Sequence, residues 1–281
     1  MRALFLIPGE SSRQLQAFPA VAAVAGQLKA EVQVACPAGS AGVWALHPGV
    51  SRTIPFAFEG AALADWANLL GSVREPDFQL CINRASGRQV DLMLSMSHIP
   101  TRIAAAGFSA TERVGATRGE GWPNQADWEA YLQPIGVTLN ADAFRLPLAK
   151  ADLEAARAEL PSGDGPLLLL APQGGSSDWP TARWQELPGL IRQRLAGLRT
   201  LSGGAGTGSP RQQAARLASA DVVLSSDPVS TELALLLGLP LVALGRDPAS
   251  LPARQGVQGL DPANQLPALE PAAVLQALGF S

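Results

Sequence analysis

Apolar positions along the chain fall into short unbroken runs, separated by stretches with helical spacing. Ala3–Ile7 is such a run, and Pro8-Gly9 stops it. A continuous apolar run of this length reads as a strand buried on both faces, the kind found in parallel sheets. A loop over Pro8–Arg13 and an alanine-rich helix over Pro19–Leu28 follow, with Pro19 suited to a first helical turn. Glu31–Ala35 is the next strand, then a helix end at Trp44–Leu46 and a strand at Arg52–Phe56. Ala61–Val73 reads as a helix, Phe78–Ile82 as a strand and Arg88–Met96 as a helix. Strand, helix, strand in this rhythm implies parallel pairing through right-handed crossovers. The alternation lapses between Gly115 and Pro147, where Trp128–Leu132 is a short helix, and a helix over Ala151–Leu160 follows. Pro161–Pro166 is the strongest linker signal. The alternation then restarts, with strands at Leu167–Ala171, Arg199–Leu201, Val222–Leu224 and Leu241–Leu244. Helices are expected at Ala182–Leu195, Ser209–Leu217, Thr231–Leu237 and Ala272–Leu278.

This pattern predicts an α/β protein of two Rossmann-like, doubly wound parallel-sheet domains facing a cleft. Residues 1–146 form the first, 147–165 a linker and 166–281 the second, with a return of the last helix to the first domain left open. Ligands in such folds sit beyond the carboxyl ends of the strands.

Composition narrows the function. A chain of 281 residues with 47% hydrophobic and 16% charged positions is core-rich, which excludes a disordered or fibrous protein. Twenty-one basic residues against 24 acidic ones give a net charge of −3, so no nucleic-acid partner is expected. Only Lys29 and Lys150 are lysine; the other cations are arginine. Cys36, Cys81, His47 and His98 are mutually isolated, so neither a metal site nor a disulfide is expected, and no cofactor is called for. The first apolar run is too short for a signal peptide, and Gly238 and Pro240 interrupt the longest one, Leu233–Leu244. A cytoplasmic protein without a transmembrane segment is the expectation.

An ordered set of segments carries a resemblance. Pro172-Gln173-Gly174-Gly175-Ser176-Ser177 precedes Trp179-Pro180-Thr181-Ala182-Arg183-Trp184. Leu201–Gly206, Ala220–Asp227 and Glu232–Leu244 follow in turn, and Ala3–Val21, Trp128–Val137 and Arg145–Leu148 agree in the first half. Together they resemble glycosyltransferase family 9, the heptosyltransferases of lipopolysaccharide synthesis. The resemblance implies a GT-B architecture. It also implies a nucleotide-sugar donor, ADP-heptose in the best-known members, held by the second domain, and a glycan or glycolipid acceptor held by the first.

The chain departs from that family at chemically important positions. Arg13 stands where the family carries an aspartate base, and a guanidinium cannot take a proton at neutral pH. Glu10, in the same loop, reads either as a substitute base or as a solvated helix-entry charge, while Arg13 suits an anion on the acceptor or a pairing with Glu10. Ser176-Ser177-Asp178 replaces a phosphate-binding lysine, with Arg183 a possible stand-in, and Glu232 replaces a histidine. The stretch Gly203–Asp227 has room for one helix and one strand, so one βα unit is missing and the second sheet is expected to be the smaller. Ser225, Ser226 and Asp227 precede a helix whose N-terminus suits a diphosphate, although Asp227 also reads as an ordinary cap. The donor-side candidates are Gln173, Gly174, Ser177, Gly203, Gly204, Ser226, Asp227 and Ser230. Two functions remain open: sugar transfer from a nucleotide sugar, or a catalytically silent relative that binds a protein partner or aids assembly.

Overall fold

The computed structural model describes residues 1–115, 122, 125–203, 208–260 and 266–280. The chain divides into two compact units, Met1–Phe144 and Arg145–Ser281. Each is built on its own parallel sheet, as the restarted alternation predicts.

In the first unit the strands are β1 (Arg2–Leu6), β2 (Glu31–Cys36), β3 (Val50–Pro55), β4 (Leu80–Asn83), β5 (Thr101–Ala104) and β6 (Glu112–Arg113), in the order β3-β2-β1-β4-β5-β6. β1 is central, pairs in parallel with β2 and β4, and is fully buried from Ala3 to Leu6. Side chains alternate across it. Leu4 and Leu6 pack with Trp66, Leu69 and Val73 of α3 (Leu63–Arg74) and with Val90, Met93 and Leu94 of α4 (Arg88–Met96). Phe5 points the other way, its ring 6.4 Å from that of Trp128 on α5 (Gln125–Leu132). On the route between β1 and β2, the expected loop before α2 (Phe18–Gln27) contains a six-residue helix, α1 (Ser11–Gln16).

In the second unit α6 (Lys150–Ala158) precedes β7 (Leu167–Ala171), α7 (Thr181–Arg192), β8 (Arg199–Ser202), α8 (Pro210–Ala218) and β9 (Val222–Ser225). α9 (Pro228–Leu237), β10 (Leu241–Leu244), β11 (Val257–Leu260) and α10 (Pro271–Ala277) complete it. The strand order is β11-β10-β9-β7-β8. Five strands against six, with one helix and one strand between Ser209 and Asp227, match the expected loss of a βα unit. Residues 145–165 are part of this second unit: α6 packs against α8, and Arg199 ties down the Pro161–Pro166 turn by donating to the carbonyls of Gly165 (2.7 Å) and Pro161 (3.2 Å). The last helix packs on α7, with Val274 and Leu275 in the same apolar cluster as Trp179, Trp184 and Leu187.

Both cysteines are free and buried, as their apolar settings imply. His47 is a core residue. Its Nδ1 accepts from the Gly49 N–H at 3.0 Å, so Nε2 carries the proton and donates to the Phe18 carbonyl at 3.1 Å. The ring stacks on Phe144 and meets Phe18 edge-on. Burial pushes its pKa down to about 4. The folded state therefore keeps His47 neutral where the unfolded chain, titrating near 6.5, takes a proton. Stability from this residue is complete above that pH and is lost as pH falls toward 4, at about 1.4 kcal/mol per pH unit and about 3 kcal/mol in all. We expect His47→Gln to flatten the pH dependence of unfolding: its stability loss from pH 7 to pH 5, measured by urea titration, should be smaller than the parent's by about 2 kcal/mol. Equal losses in both proteins would exclude the assignment.

Candidate functional site

Each unit gathers candidate residues at the carboxyl edge of its own sheet. In the first unit the loop after β1 is held from below by Gln14. This residue is fully buried and donates from Nε2 to the carbonyls of Ile7 (3.0 Å) and Gly9 (3.1 Å), while its Oε1 accepts from Trp44 Nε1 at 3.0 Å. Ser40 Oγ adds a bond to Gly9 O at 3.2 Å. Gly9 adopts φ +105°, a conformation that favours glycine, and a Cβ there would come within 2.8 Å of Arg13 Cδ. The loop therefore presents Arg13 over its own backbone. Glu10 is the exposed N-cap of α1, and its carboxylate meets only Ser12 Oγ, at 3.5 Å, among the described residues.

In the second unit a cavity of about 280 Å³ opens over the ends of β7, β9 and β10. The order β11-β10-β9-β7-β8 reverses between β7 and β9, where doubly wound sheets leave their ligand crevice. Gln173, Ser177 and Ser226 line it, together with Thr231, Gly245 and Arg246. The Gln173 N–H donates to Ser226 Oγ at 2.9 Å, which ties the two loops together.

The other candidates play different parts. Asp227 caps α9, its Oδ2 accepting from the Ser230 N–H at 2.8 Å, and both residues are buried. Ser230 Oγ accepts from Gln213 Nε2 at 3.0 Å. Gly174 (φ +82°) gives its N–H to Asp178 Oδ2 at 2.7 Å and is not on the cavity wall. Gly203 ends β8, on the far side of β7 from β9, with its N–H on the Leu170 carbonyl. Gly204 lies outside the described residues. Asp178 spends its other oxygen on the Trp179 N–H, so this carboxylate organises the loop rather than facing the cavity. Trp179 donates Nε1 to Leu269 O at 2.8 Å, and Arg183 bonds the same carbonyl and Glu270. The tryptophan is core and the arginine is committed to the segment before α10.

The start of α9 has few donors left for an anion. Asp227 N–H is used by Ala171 O, Pro228 has no N–H, and Ser230 N–H is capped, which leaves Val229. The cavity's positive charge comes instead from Arg246, just past β10. Its Nη2 bonds Glu232 Oε1 at 2.8 Å and its Nε donates to Ser250 Oγ at 3.0 Å. Glu232 is completely buried. A carboxylate in the apolar run of α9 requires a cationic partner, and that requirement was the signal in the sequence that could have pointed to Arg246.

Solved structures share the fold over nearly the whole chain. A glycosyltransferase family 9 structure from Veillonella parvula matches with a TM-score of 0.78 at 12% identity, over 99% of this chain and 96% of that one. The E. coli ADP-heptose lps heptosyltransferase II matches at 0.74 and 16%, over 99% and 98%. The E. coli heptosyltransferase WaaC with ADP-2-deoxy-2-fluoro heptose matches at 0.71 and 18%, over 99% of both chains. The fold is that of these glycosyltransferases. No protein-family model and no curated protein matches the sequence.

The ion pair makes a separable prediction. Arg246→Met removes the cation that buried Glu232 meets at 2.8 Å and should lower stability at pH 7 by about 2–3 kcal/mol. The double variant Arg246→Met/Glu232→Met should recover most of that loss in urea denaturation. Additive losses would mean that the two groups do not depend on each other.

Proposed function

We propose that the protein transfers a sugar from a nucleotide-sugar donor to a glycan or glycolipid acceptor, with the donor on the second unit and the acceptor on the first. The observation that carries this reading is the cavity at the β7/β9 reversal, where Gln173, Ser177 and Ser226 sit beside Arg246. A diphosphate has two anionic phosphoryl groups, and a guanidinium fork is suited to bridge them. Arg246 thereby takes the place of the lysine missing before Trp179, and the buried Glu232 carboxylate fixes its direction. In the first unit Glu10 is the carboxylate available to take the acceptor proton. The shared fold and the formed cavity support transfer over a catalytically silent role. Nothing in the chemistry described requires a metal, a cofactor or a protein partner. No helix among the described residues is long and apolar enough to cross a membrane. A cytoplasmic site for the reaction is part of the proposal.

Thermal shift with ADP, UDP, GDP and their sugars tests the reading. A donor at about 100 times its dissociation constant should stabilise the second unit by about 2.7 kcal/mol. Arg246→Gln should weaken that donor by roughly tenfold or more, the loss of one hydrogen-bonded charge. No stabilisation by any member of the panel would overturn the proposal. With a bound donor identified, Glu10→Ala should lower turnover by about 10²–10⁴-fold with binding unchanged, and transfer at the parent rate would remove Glu10 from the mechanism.

A further inference from the structure

The first sheet reverses its strand order between β1 and β4, so its ligand crevice lies over the ends of those two strands. Arg13 reaches that place from the loop after β1, and Arg84 follows β4 directly, its N–H on the Leu6 carbonyl. A cavity of about 160 Å³ there is lined by Ile7, Pro8, Arg13, Gln16, Arg84 and Trp128. Among the described residues two guanidiniums contribute to its wall and no carboxylate does.

The two arginines are held very differently. Arg84 is fixed: its Nη2 pairs with Asp127 Oδ2 at 2.5 Å, and its guanidinium lies 4.7 Å from the ring centre of Trp128 and 4.6 Å from that of Tyr131. Its Nη1 is buried and finds no hydrogen-bond partner among the described residues, although the guanidinium also bonds the Tyr131 side chain. A partly desolvated cation with a donor still unused attracts a second anion. Arg13 is exposed and makes no ion pair with a described residue. Among the described residues the crevice wall carries the guanidiniums of Arg13 and Arg84, with Asp127 paired to Arg84 behind it and Glu10 in the same loop but not on the wall.

We propose that this crevice binds an anionic group of the acceptor, a phosphate or a carboxylate, between Arg13 and Arg84. The inference rests on the reading of the first unit as the acceptor side, and it names that acceptor's chemistry. Arg13 at the position of the expected base is then a recognition residue: both of its relevant ligand classes present oxygens already ionised at neutral pH, and a guanidinium fork binds them in two-point fashion. Arg84 is the preorganised half of the site and Arg13 the half that closes on the ligand.

The test uses methyl phosphate and glucuronate as probes on the intact chain, where the Arg13 variant and the mapping of Arg13 separate this crevice from the second unit's cation. Calorimetric titration should show binding of at least one probe, and the stronger probe identifies whether the acceptor's anion is a phosphate or a carboxylate. Adding Arg13→Gln, a change at an exposed side chain, should weaken it by about tenfold or more. The bound probe should also protect Arg13 from phenylglyoxal modification, mapped by mass spectrometry. Binding unchanged by Arg13→Gln, or no binding of either probe, would overturn the inference. Nucleotide binding by the otherwise unaltered protein is read separately, so failure of the donor reading and failure of this one give different results.

Discussion

A parallel strand buried on both faces carries its polar backbone into the core, and its carboxyl end must find donors before the chain can leave the sheet. Both candidate sites are consequences of how that demand is met. At the end of β7 the Ala171 carbonyl takes the N–H groups of Ser226 and Asp227, with Ser225 Oγ in addition at 3.3 Å. That convergence draws the β9 loop against the β7 loop and sets Ser226 beside Gln173. At the end of β1 the carbonyls of Ile7 and Gly9 are taken by the buried amide of Gln14, which in turn is held by Trp44. The first solution is made by backbone and the second by a side chain. The same geometric problem therefore gives a rigid shelf in one unit and, in the other, a loop whose position depends on one glutamine.

The strands that could be read from the sequence are those whose burial is continuous. Leu167–Ala171 and Leu241–Leu244 are apolar at every position and buried at every position, so pattern and structure coincide. Three strands gave no such pattern. β5 is Thr-Arg-Ile-Ala and half-buried, β6 is the two residues Glu112–Arg113, and β11 is an edge strand of Val-Gln-Gly-Leu. Strands near a sheet edge are short and polar, because one side lacks a partner and faces water. They pair through backbone groups, which side-chain patterning does not report. Helix α1 was missed for a related reason: Ser11-Ser12-Arg13-Gln14 has no apolar stripe, and the helix is held by the tertiary bonds of Gln14 rather than by propensity.

The site divides along similar lines. That Gln173, Ser177 and Ser226 lie together on one cavity wall could be read from the sequence, because all three sit in the loops that follow β7 and β9 at the carboxyl edge of the sheet. Gly174, Asp227 and Ser230 share that neighbourhood but serve the loop and the helix cap, a distinction that depends on hydrogen-bond partners and not on position. Arg246 and Arg84 also follow strands directly, yet neither stood out. In a chain whose cations are almost all arginine, one more arginine after a strand carries little information. What sets these two apart is their company, a wholly buried glutamate for one and two aromatic rings for the other.

The Glu232–Arg246 pair bears on how such a pocket could change over time. Glutamate at 232 is wholly buried and is supported by Arg246, whose guanidinium stays partly exposed at the cavity. Losing the arginine first takes a cation away from a wholly buried carboxylate, whereas losing the glutamate first leaves a guanidinium that still reaches the cavity. The order of change at these two sites therefore matters, and the glutamate is the easier of the two to lose first.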